Sequence, residues 1–313
     1  MNHVFLIDPP ETLHTEKDTS FALMLEAQRQ GHGVHVMLRG GITRQPGQIF
    51  FKTRKAIVED SATKPFTLSD YDETPAQNFD IVWIRTDPPF DTDYLTDTWL
   101  LSQIGARPLV LNAPQGLRNI NEKIWAAQFT EITPPTLITA NVADFLHFLR
   151  QNEAIVAKPT DGFGGSSVFL VRTGDKNAAV VFETLSKLSR YVIVQKYLPA
   201  ATEGDKRILV LEGEILGTVL RVHGEGDHRN NFAAGGSAKS AQITRDDEKI
   251  VATLKPHLLA QGIFFAGIDV IGGKLIEVNV TSPTCLREMQ KFANENFAKK
   301  IIDAAAARAA TGA

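Results

Sequence analysis

The chain has 313 residues, of which 43% are hydrophobic and 22% are charged, a composition typical of globular proteins with two or three domains. A net charge of -3 without any basic run argues against binding to a nucleic-acid polymer or an anionic membrane surface. Cys285 is the only cysteine, which excludes an intramolecular disulfide. No apolar run reaches membrane-spanning length and the N-terminus lacks signal-peptide features, so we expect a cytoplasmic protein without membrane association.

The first 120 residues alternate between strand-like and helix-like patterns. The candidates, in order, are strand 4–7, helix 20–30, strand 34–38, strand 80–85, helix 94–103 and strand 108–112. This order predicts an α/β domain with a parallel sheet. Ligands of such sheets bind beyond the carboxyl ends of strands, where Asp8, Arg85 and Asp87 lie. For these three residues, contact with substrate and a turn or capping role are about equally supported.

The alternation of strand-like and helix-like patterns stops near residue 120, and a rigid Pro-Pro linker follows at 133–136. Together these features predict a domain boundary. Downstream, a short helix is predicted over 121–129, and the glycine-rich segment 159–167 lies between two predicted strands. No helix N-terminus follows this segment, which excludes a Walker-type loop and a dinucleotide fingerprint. Backbone N–H groups unobstructed by Cβ atoms can still close over phosphate oxygens. The candidate donors are Gly162, Gly164, Gly165 and Ser166. The alternative is an ordinary glycine-rich turn.

Two lysines strengthen the phosphate interpretation. Lys158 ends the strand before the glycine-rich segment and could place a compact positive charge on the same phosphates. Lys123 is a second candidate. A later strand end could form an interdomain hinge against which an adenine stacks, although backbone recognition leaves little trace in a sequence; its residues are Gln195, Lys196, Tyr197 and Leu198.

Arg207 and Arg221 lie on two strands of a predicted hairpin and are suited to gripping phosphate or carboxylate in a bidentate way. A solvated basic rim is the alternative. The loop 223–236 is rich in glycine, which suggests a mobile lid whose Arg229 and Asn231 meet charge on closing. The competing interpretation is a disordered surface loop.

The segment 266–283 reads as a β-hairpin with oxygen ligands on one face. Alternation places Glu277 and Asn279 on the same face. A two-residue turn without a bulge pairs Asp269 with Ile276, whereas a three-residue or bulged turn pairs Asp269 with Glu277. Two carboxylates and an amide side by side would suit Mg2+. A strand with a solvated polar face is the alternative.

Taken together, these residues resemble the ATP-grasp superfamily and, more closely, the prokaryotic-type glutathione synthetase family. The matching segments are Asp-Pro-Pro-Phe-Asp-Thr at 87–92, Asn-Glu-Lys at 121–123, the 158–165 segment, Gly-Asp-Lys-Arg at 204–207, Asn-Phe-Ala-Ala-Gly-Gly at 231–236 and Asn-Val-Thr-Ser-Pro-Thr-Cys at 279–285. They span almost the whole chain. The chain departs from the family pattern at Thr86, where lysine is usual, and at Asn230, where glycine is usual.

The resemblance implies an ATP-grasp fold, of mixed α+β and α/β class, in which two subdomains clamp ATP. The implied segments are a substrate-side domain over 1–120, a central subdomain over 121–200 and a C-terminal subdomain over 201–313. The implied reaction joins γ-glutamylcysteine to glycine through an acyl phosphate, giving glutathione, ADP and phosphate. The resemblance also suggests a homotetramer. Another ATP-grasp carboxylate-amine ligase is the nearest alternative, and a nucleotide-binding module without catalysis is a more distant one.

The resemblance also implies a role for each candidate residue. Asp269, Glu277 and Asn279 would hold Mg2+, with Mn2+ as a possible substitute. Arg221 would contact the transferring phosphoryl group, and Arg229, Asn231 and Ser282 would help to shield the acyl phosphate from water. The residues expected to bind ATP are Lys123, Lys158, Gly162, Gly164, Gly165, Ser166, Gln195, Lys196, Tyr197, Leu198 and Arg207.

Overall fold

The computed structural model describes residues 1–162, 164–222 and 237–312. The strands are β1 (Asn2–Leu6), β2 (Gly33–Gln45), β3 (Gln48–Val58), β4 (Phe66–Leu68), β5 (Asp72–Pro75), β6 (Ile81–Ile84), β7 (Leu109–Leu111), β8 (Thr136–Thr139), β9 (Ala154–Pro159), β10 (Phe169–Arg172), β11 (Val192–Lys196), β12 (Asp205–Leu211), β13 (Glu214–Val222), β14 (Ser237–Ser240), β15 (Phe265–Ile271) and β16 (Lys274–Asn279). The helices are α1 (Thr19–Arg29), α2 (Thr92–Leu101), α3 (Pro114–Asn119), α4 (Val142–Asn152), α5 (Ala178–Leu188), α6 (Arg245–Ala260), α7 (Leu286–Ala293) and α8 (Phe297–Thr311).

The strands form three sheets that follow one another along the chain. The first contains seven strands in the order β4-β3-β2-β1-β6-β7, with β5 paired to β3. The second has the order β10-β9-β11-β8, and the third has the order β14-β13-β12-β15-β16. In the part of the chain that the structure describes, no helix is both long and apolar enough to cross a membrane.

The N-terminal sheet is mixed rather than wholly parallel. Its strands β2, β1, β6 and β7 pair in parallel, as the sequence predicts. The antiparallel extension by β3, β4 and β5 is not predicted from the sequence. The long hairpin between β2 and β3 contains a register shift between Met37 and Ile42, which interrupts the alternating pattern that would reveal it.

Several element ends follow from local chemistry. Asp18 caps α1 by accepting a hydrogen bond from the Phe21 backbone N–H, and Thr244 forms a capping box with Asp247 at the start of α6. The helix predicted over 121–129 is wrong: this segment forms turns and one short 3-10 helix, Ala126–Gln128. The predicted rigid linker ends at Thr136, which already belongs to β8.

Asn112 connects the first sheet to the third. Its side-chain amide donates to the carbonyls of Phe265 and Val280, at 2.8 and 2.7 Å, and its oxygen accepts from the backbone N–H groups of Phe264 and Phe265. Because Asn112 is buried, these four bonds satisfy all of its polar capacity without water. The asparagine therefore fixes β15 and the end of β16 against the N-terminal sheet.

Candidate active site

A cavity of about 440 Å3 lies between the second and third sheets. It gathers every predicted site residue that falls within the described ranges, namely Lys123, Lys158, Gly162, Gly164, Gly165, Ser166, Gln195, Lys196, Tyr197, Leu198, Arg207, Arg221, Asp269, Glu277, Asn279 and Ser282. Arg229 and Asn231 lie outside the described residues. Residues more than 150 positions apart in the sequence therefore line one cavity.

Of the three substrate-side candidates, only Asp87 lines this cavity. Asp8 accepts a hydrogen bond from the Asp87 backbone N–H at 2.8 Å, which is a loop-stabilising role. Arg85 is buried and donates to Ser20 Oγ at 3.0 Å and to the Pro283 carbonyl at 2.9 Å. It thereby holds the segment after β16 against the N-terminal sheet.

The hairpin of β15 and β16 presents the predicted oxygen ligands side by side. Gly272 and Gly273 both have positive φ, +53° and +71°, which is typical of a tight two-residue turn. A register shift follows between Asp269 and Val270, so Asp269 lies opposite Glu277. The bulged alternative is thus confirmed. Asn279 lies opposite Gly267, where a larger residue would crowd Arg207 and Pro283.

Asp269 is neutralised by two arginines. Arg207 contacts it in a bidentate way, with Nε to Oδ1 at 2.5 Å and Nη2 to Oδ2 at 3.0 Å, and Arg221 Nη2 lies 2.9 Å from Oδ2. Burial alone would raise the pKa of Asp269, but the two guanidinium groups outweigh it and hold that pKa well below its usual range. Asp269 is therefore an ionised carboxylate deep in the cavity.

The two lysines differ in their surroundings. Lys123 Nζ lies 2.8 Å from Glu277 Oε1 and donates to the Gly162 carbonyl at 2.5 Å. Burial opposes its charge, but Glu277 raises the pKa of Lys123 overall. Lys158 is only 5% exposed, and burial lowers its pKa to about 8. The negative charges of Glu277 and Asp269 offset part of this effect of burial on the pKa. A bound phosphate group would add a further negative charge beside Lys158.

Part of the cavity lining is apolar. The apolar lining residues include Val156, Val168, Leu170, Leu198, Ile271 and Ile276. Beside them, Gln195 is buried and donates to Thr136 Oγ1 at 3.1 Å, and the Tyr197 backbone N–H donates to the Ala154 carbonyl at 3.0 Å. A cavity lined by both apolar and cationic side chains suits a nucleotide, which combines a flat base with charged phosphates.

The sequence of the chain is similar to a known family and to characterised relatives. Residues 1–118 match the N-terminal domain of prokaryotic glutathione synthetase, and residues 122–294 match its ATP-grasp domain. The chain is 39% identical over 306 residues to the glutathione synthetase of Escherichia coli K12, covering 97% of each chain. It is 40% identical over 288 residues to that of Yersinia pestis, covering 91% of this chain and 90% of the relative.

The chain belongs to the prokaryotic glutathione synthetase family. It is thus an ATP-grasp ligase, as the sequence analysis predicts. Solved structures agree on the fold: a D-cycloserine synthetase, DcsG, aligns with a TM-score of 0.69 at 15% identity, covering 98% of this chain and 99% of its own. The D-alanyl-alanine synthetase A of Vibrio cholerae aligns with a TM-score of 0.65 at 14% identity, covering 99% and 98%.

Two acids that line this cavity, Glu122 and Asp205, have no role assigned from the sequence. Glu122 accepts hydrogen bonds from the backbone N–H groups of Val280 and Thr281 and from Thr281 Oγ1, at 2.8 to 3.1 Å. Asp205 pairs with Arg221. Both acids immediately precede or closely flank a predicted cation in the sequence, and that proximity is the only signal that could have identified them.

The donor set on the hairpin fits a hard divalent cation. Within the described ranges no group of three or more His, Cys, Asp or Glu side chains is arranged to hold a metal ion. Asp269, Glu277 and Asn279 instead offer two carboxylates and one amide oxygen, and Mg2+ commonly takes few protein ligands and completes its shell with water and phosphate. The pairing of both carboxylates with cationic side chains shows that this face of the hairpin already stabilises positive charge.

Proposed function

We propose that this chain joins γ-glutamylcysteine to glycine with ATP, giving glutathione, ADP and phosphate. The proposal rests on the family relationship, and one observation carries it at the site. Buried cationic side chains, carboxylate and amide oxygens, and apolar side chains all line a single cavity. Such a cavity favours phosphoryl transfer, which depends on positioning and charge neutralisation more than on an acid-base pair.

The chemistry requires an activated carboxylate, because a free carboxylate is a poor acyl donor. The γ-phosphoryl group of ATP is transferred to a C-terminal carboxylate oxygen of γ-glutamylcysteine, and ADP leaves. The glycine amine then attacks the carbonyl carbon of the acyl phosphate. The C–O bond to phosphate breaks as the C–N bond forms, and the amine loses a proton.

Each group of residues has a role in this scheme. Lys123, Lys158 and Arg207 bind ATP phosphates, and Arg221 contacts the transferring phosphoryl group. Gly162, Gly164, Gly165 and Ser166 cover the nucleotide with backbone and hydroxyl donors, and Gln195, Lys196, Tyr197 and Leu198 border its adenine. Arg229, Asn231 and Ser282 shield the acyl phosphate from water.

We propose that Asp269, Glu277 and Asn279 would hold the metal ion, Mg2+ with Mn2+ as a substitute. A bound ion would supply positive charge to the phosphate oxygens. Asp269 also contacts Arg221 directly, so the same carboxylate belongs to the proposed metal site and orients that arginine. The oxygen-only chemistry of the three side chains favours a hard cation over zinc.

We further propose that the protein acts in the cytoplasm as a homotetramer. Residues 1–120 would supply the substrate side, 121–200 the central half of the clamp and 201–313 its C-terminal half. The second and third sheets, which border the cavity, lie in these last two segments.

Product analysis by mass spectrometry tests the substrate assignment. The protein is incubated with ATP, Mg2+ and pairs of carboxylate and amine substrates, including γ-glutamylcysteine with glycine, two D-alanines, and a peptide with glutamate. We expect glutathione as the principal product. Efficient formation of a different amide, with little glutathione, would assign the chain to another ligase activity.

A further inference from the structure

We propose that Asp205 is a positioning residue that holds Arg221 in place when Asp269 takes up a metal ion. The inference rests on the proposed function, since it concerns how the same cavity prepares for phosphoryl transfer. It assigns different tasks to the two arginines: Arg221 is the fixed one and Arg207 is the movable one.

The geometry behind this inference is an alternating chain of charges, Arg207–Asp269–Arg221–Asp205. Arg221 Nε lies 2.6 Å from Asp205 Oδ1, and Arg221 Nη2 lies 2.8 Å from Asp205 Oδ2. The same Nη2 lies 2.9 Å from Asp269 Oδ2. Asp205 thus provides a bidentate contact, the geometry that constrains a guanidinium plane most strongly.

The chain is asymmetric at Asp269. Within the described ranges, Asp269 is the only acidic partner of Arg207, whereas Arg221 has Asp205 as well. A cation that binds Asp269 competes with both guanidinium groups for the same carboxylate oxygens. Arg207 then loses its only acidic partner, but Arg221 keeps two hydrogen bonds.

The backbone supports the fixed position of Arg221. Asp205 is the first residue of β12 and lies directly opposite Arg221 on β13. The side chains of Asp205 and Arg221 are 15% and 7% exposed, so water has little access to replace either partner. The bidentate contact occupies Nε and Nη2. Because Arg221 also lines the cavity, this contact holds its guanidinium group at the wall of the space in which the phosphates would bind.

The test compares Asp205→Ala and Asp205→Asn with the parent protein. We expect kcat to fall by about 10²-fold in Asp205→Ala, as for a misplaced catalytic group, with little change in KM for ATP. Asp205→Asn should fall less, because its amide oxygen can still accept one hydrogen bond. In the Arg221→Lys background, Asp205→Ala should cost far less, because the group it positions has been removed.

A spectroscopic measurement adds a readout that does not depend on turnover. The Nε–H resonances of Arg207 and Arg221 are assigned by comparison with Arg207→Lys and Arg221→Lys. On addition of Mg2+ and a non-hydrolysable ATP analogue to the parent protein, we expect the Arg207 resonance to shift strongly and the Arg221 resonance to shift little. In Asp205→Ala, the Arg221 resonance should lose its strong-hydrogen-bond position.

Asp247→Asn is the matched control. Asp247 is another buried acid that pairs with a residue of β12, Lys206, at 2.6 Å, but it does not line the cavity. We expect Asp247→Asn to lower the unfolding temperature. At temperatures where the variant is still folded, its kcat should be close to that of the parent protein.

Three results would overturn the inference: unchanged kcat in Asp205→Ala, a loss confined to KM for ATP, or independent effects of Asp205→Ala and Arg221→Lys. The second would instead indicate that Asp205 contacts the nucleotide directly. An inactive parent protein would contradict the proposed function, whereas an active parent with an equally active Asp205→Ala would contradict only this inference. If Asp205→Ala does not fold, Asp205→Asn and the resonance of Arg221 in the parent decide.

Discussion

Asp269 and Glu277 lie opposite each other on β15 and β16, although the turn that joins these strands has only two residues. A regular ladder from this turn would have paired Asp269 with Ile276. The bulge next to Val270 absorbs one residue and brings the two carboxylates together. The metal-type face of the hairpin therefore depends on a local irregularity.

Substitution of Glu277 tests the metal face directly. We expect Glu277→Gln to fold normally, because the amide keeps the shape and can still accept a hydrogen bond from Lys123. We expect kcat to fall by about 10²–10³-fold, because a charged ligand at the transferring phosphates is lost. Steady-state kinetics with Mg2+, together with a thermal unfolding curve, check both parts.

The control for this substitution is Glu214→Gln. Glu214 is exposed, lies at the start of β13 and pairs with Lys255 away from the cavity. It should change neither kcat nor the unfolding midpoint. Near-normal turnover of Glu277→Gln with Mg2+ would remove Glu277 from the metal site.

Nucleotide binding should take up a proton near pH 8. Burial lowers the pKa of Lys158 to about 8, so this side chain carries its charge below that pH and loses it above. Bound phosphate favours the charged form and raises the pKa again. We expect the Kd for ATP to rise as the pH increases through about 8.

Calorimetry in two buffers with different ionisation enthalpies measures this proton uptake. Lys158→Met should bind ATP more weakly and lose the uptake. Persistence of the same uptake in Lys158→Met would assign the proton to another group.

The lowered pKa of Lys158 also affects the stability of the nucleotide-free protein. Whereas ATP affinity should fall as the pH rises, the stability contribution of Lys158 should increase. The pKa of Lys158 falls from its ordinary value of 10.5 to about 8 on folding. Between these pH values the unfolded chain binds more protons at this site. The contribution of Lys158 to the free energy of unfolding therefore rises with pH across this window.

The apolar lining of the cavity leads to a separate prediction. Leu170 is half-buried on β10 and lines the cavity. Leu170→Asn should raise the Kd for ATP by about tenfold, because part of the apolar contact with the base is replaced by an amide. Leu188→Asn, at an exposed position on α5, is the control and should leave that Kd unchanged. Equal affinities in both variants and the parent would place the base elsewhere.

Much of the site could be predicted because its residues occur at strand ends in recognisable segments. Lys158, Arg221 and Glu277 each end or follow a short apolar run, and the cavity collects all three. The register of Asp269 could not be decided from the sequence, because a bulge leaves no residue-type signature in Lys-Leu-Ile-Glu. Asp205 and Glu122 were missed because their importance lies in their partners, which are 16 and about 160 positions away.

The fold likewise contains elements that the sequence predicts well and one that it does not. Elements with strong periodicity are predicted closely: the helix predicted over 20–30 is observed as α1, Thr19–Arg29. The region 121–129 was mistaken for a helix, since its apolar residues pack against the core through turns and a short 3-10 helix rather than along one helical face. Tertiary contacts override local helix propensity in such short segments.

The most direct test of the central claim is phosphate release in an omission series. Release is measured with ATP, Mg2+, γ-glutamylcysteine and glycine together, and again with each of the four left out. We expect sustained release only in the complete mixture, because glycine must attack the acyl phosphate for each turnover. Release at the same rate without γ-glutamylcysteine would contradict the account.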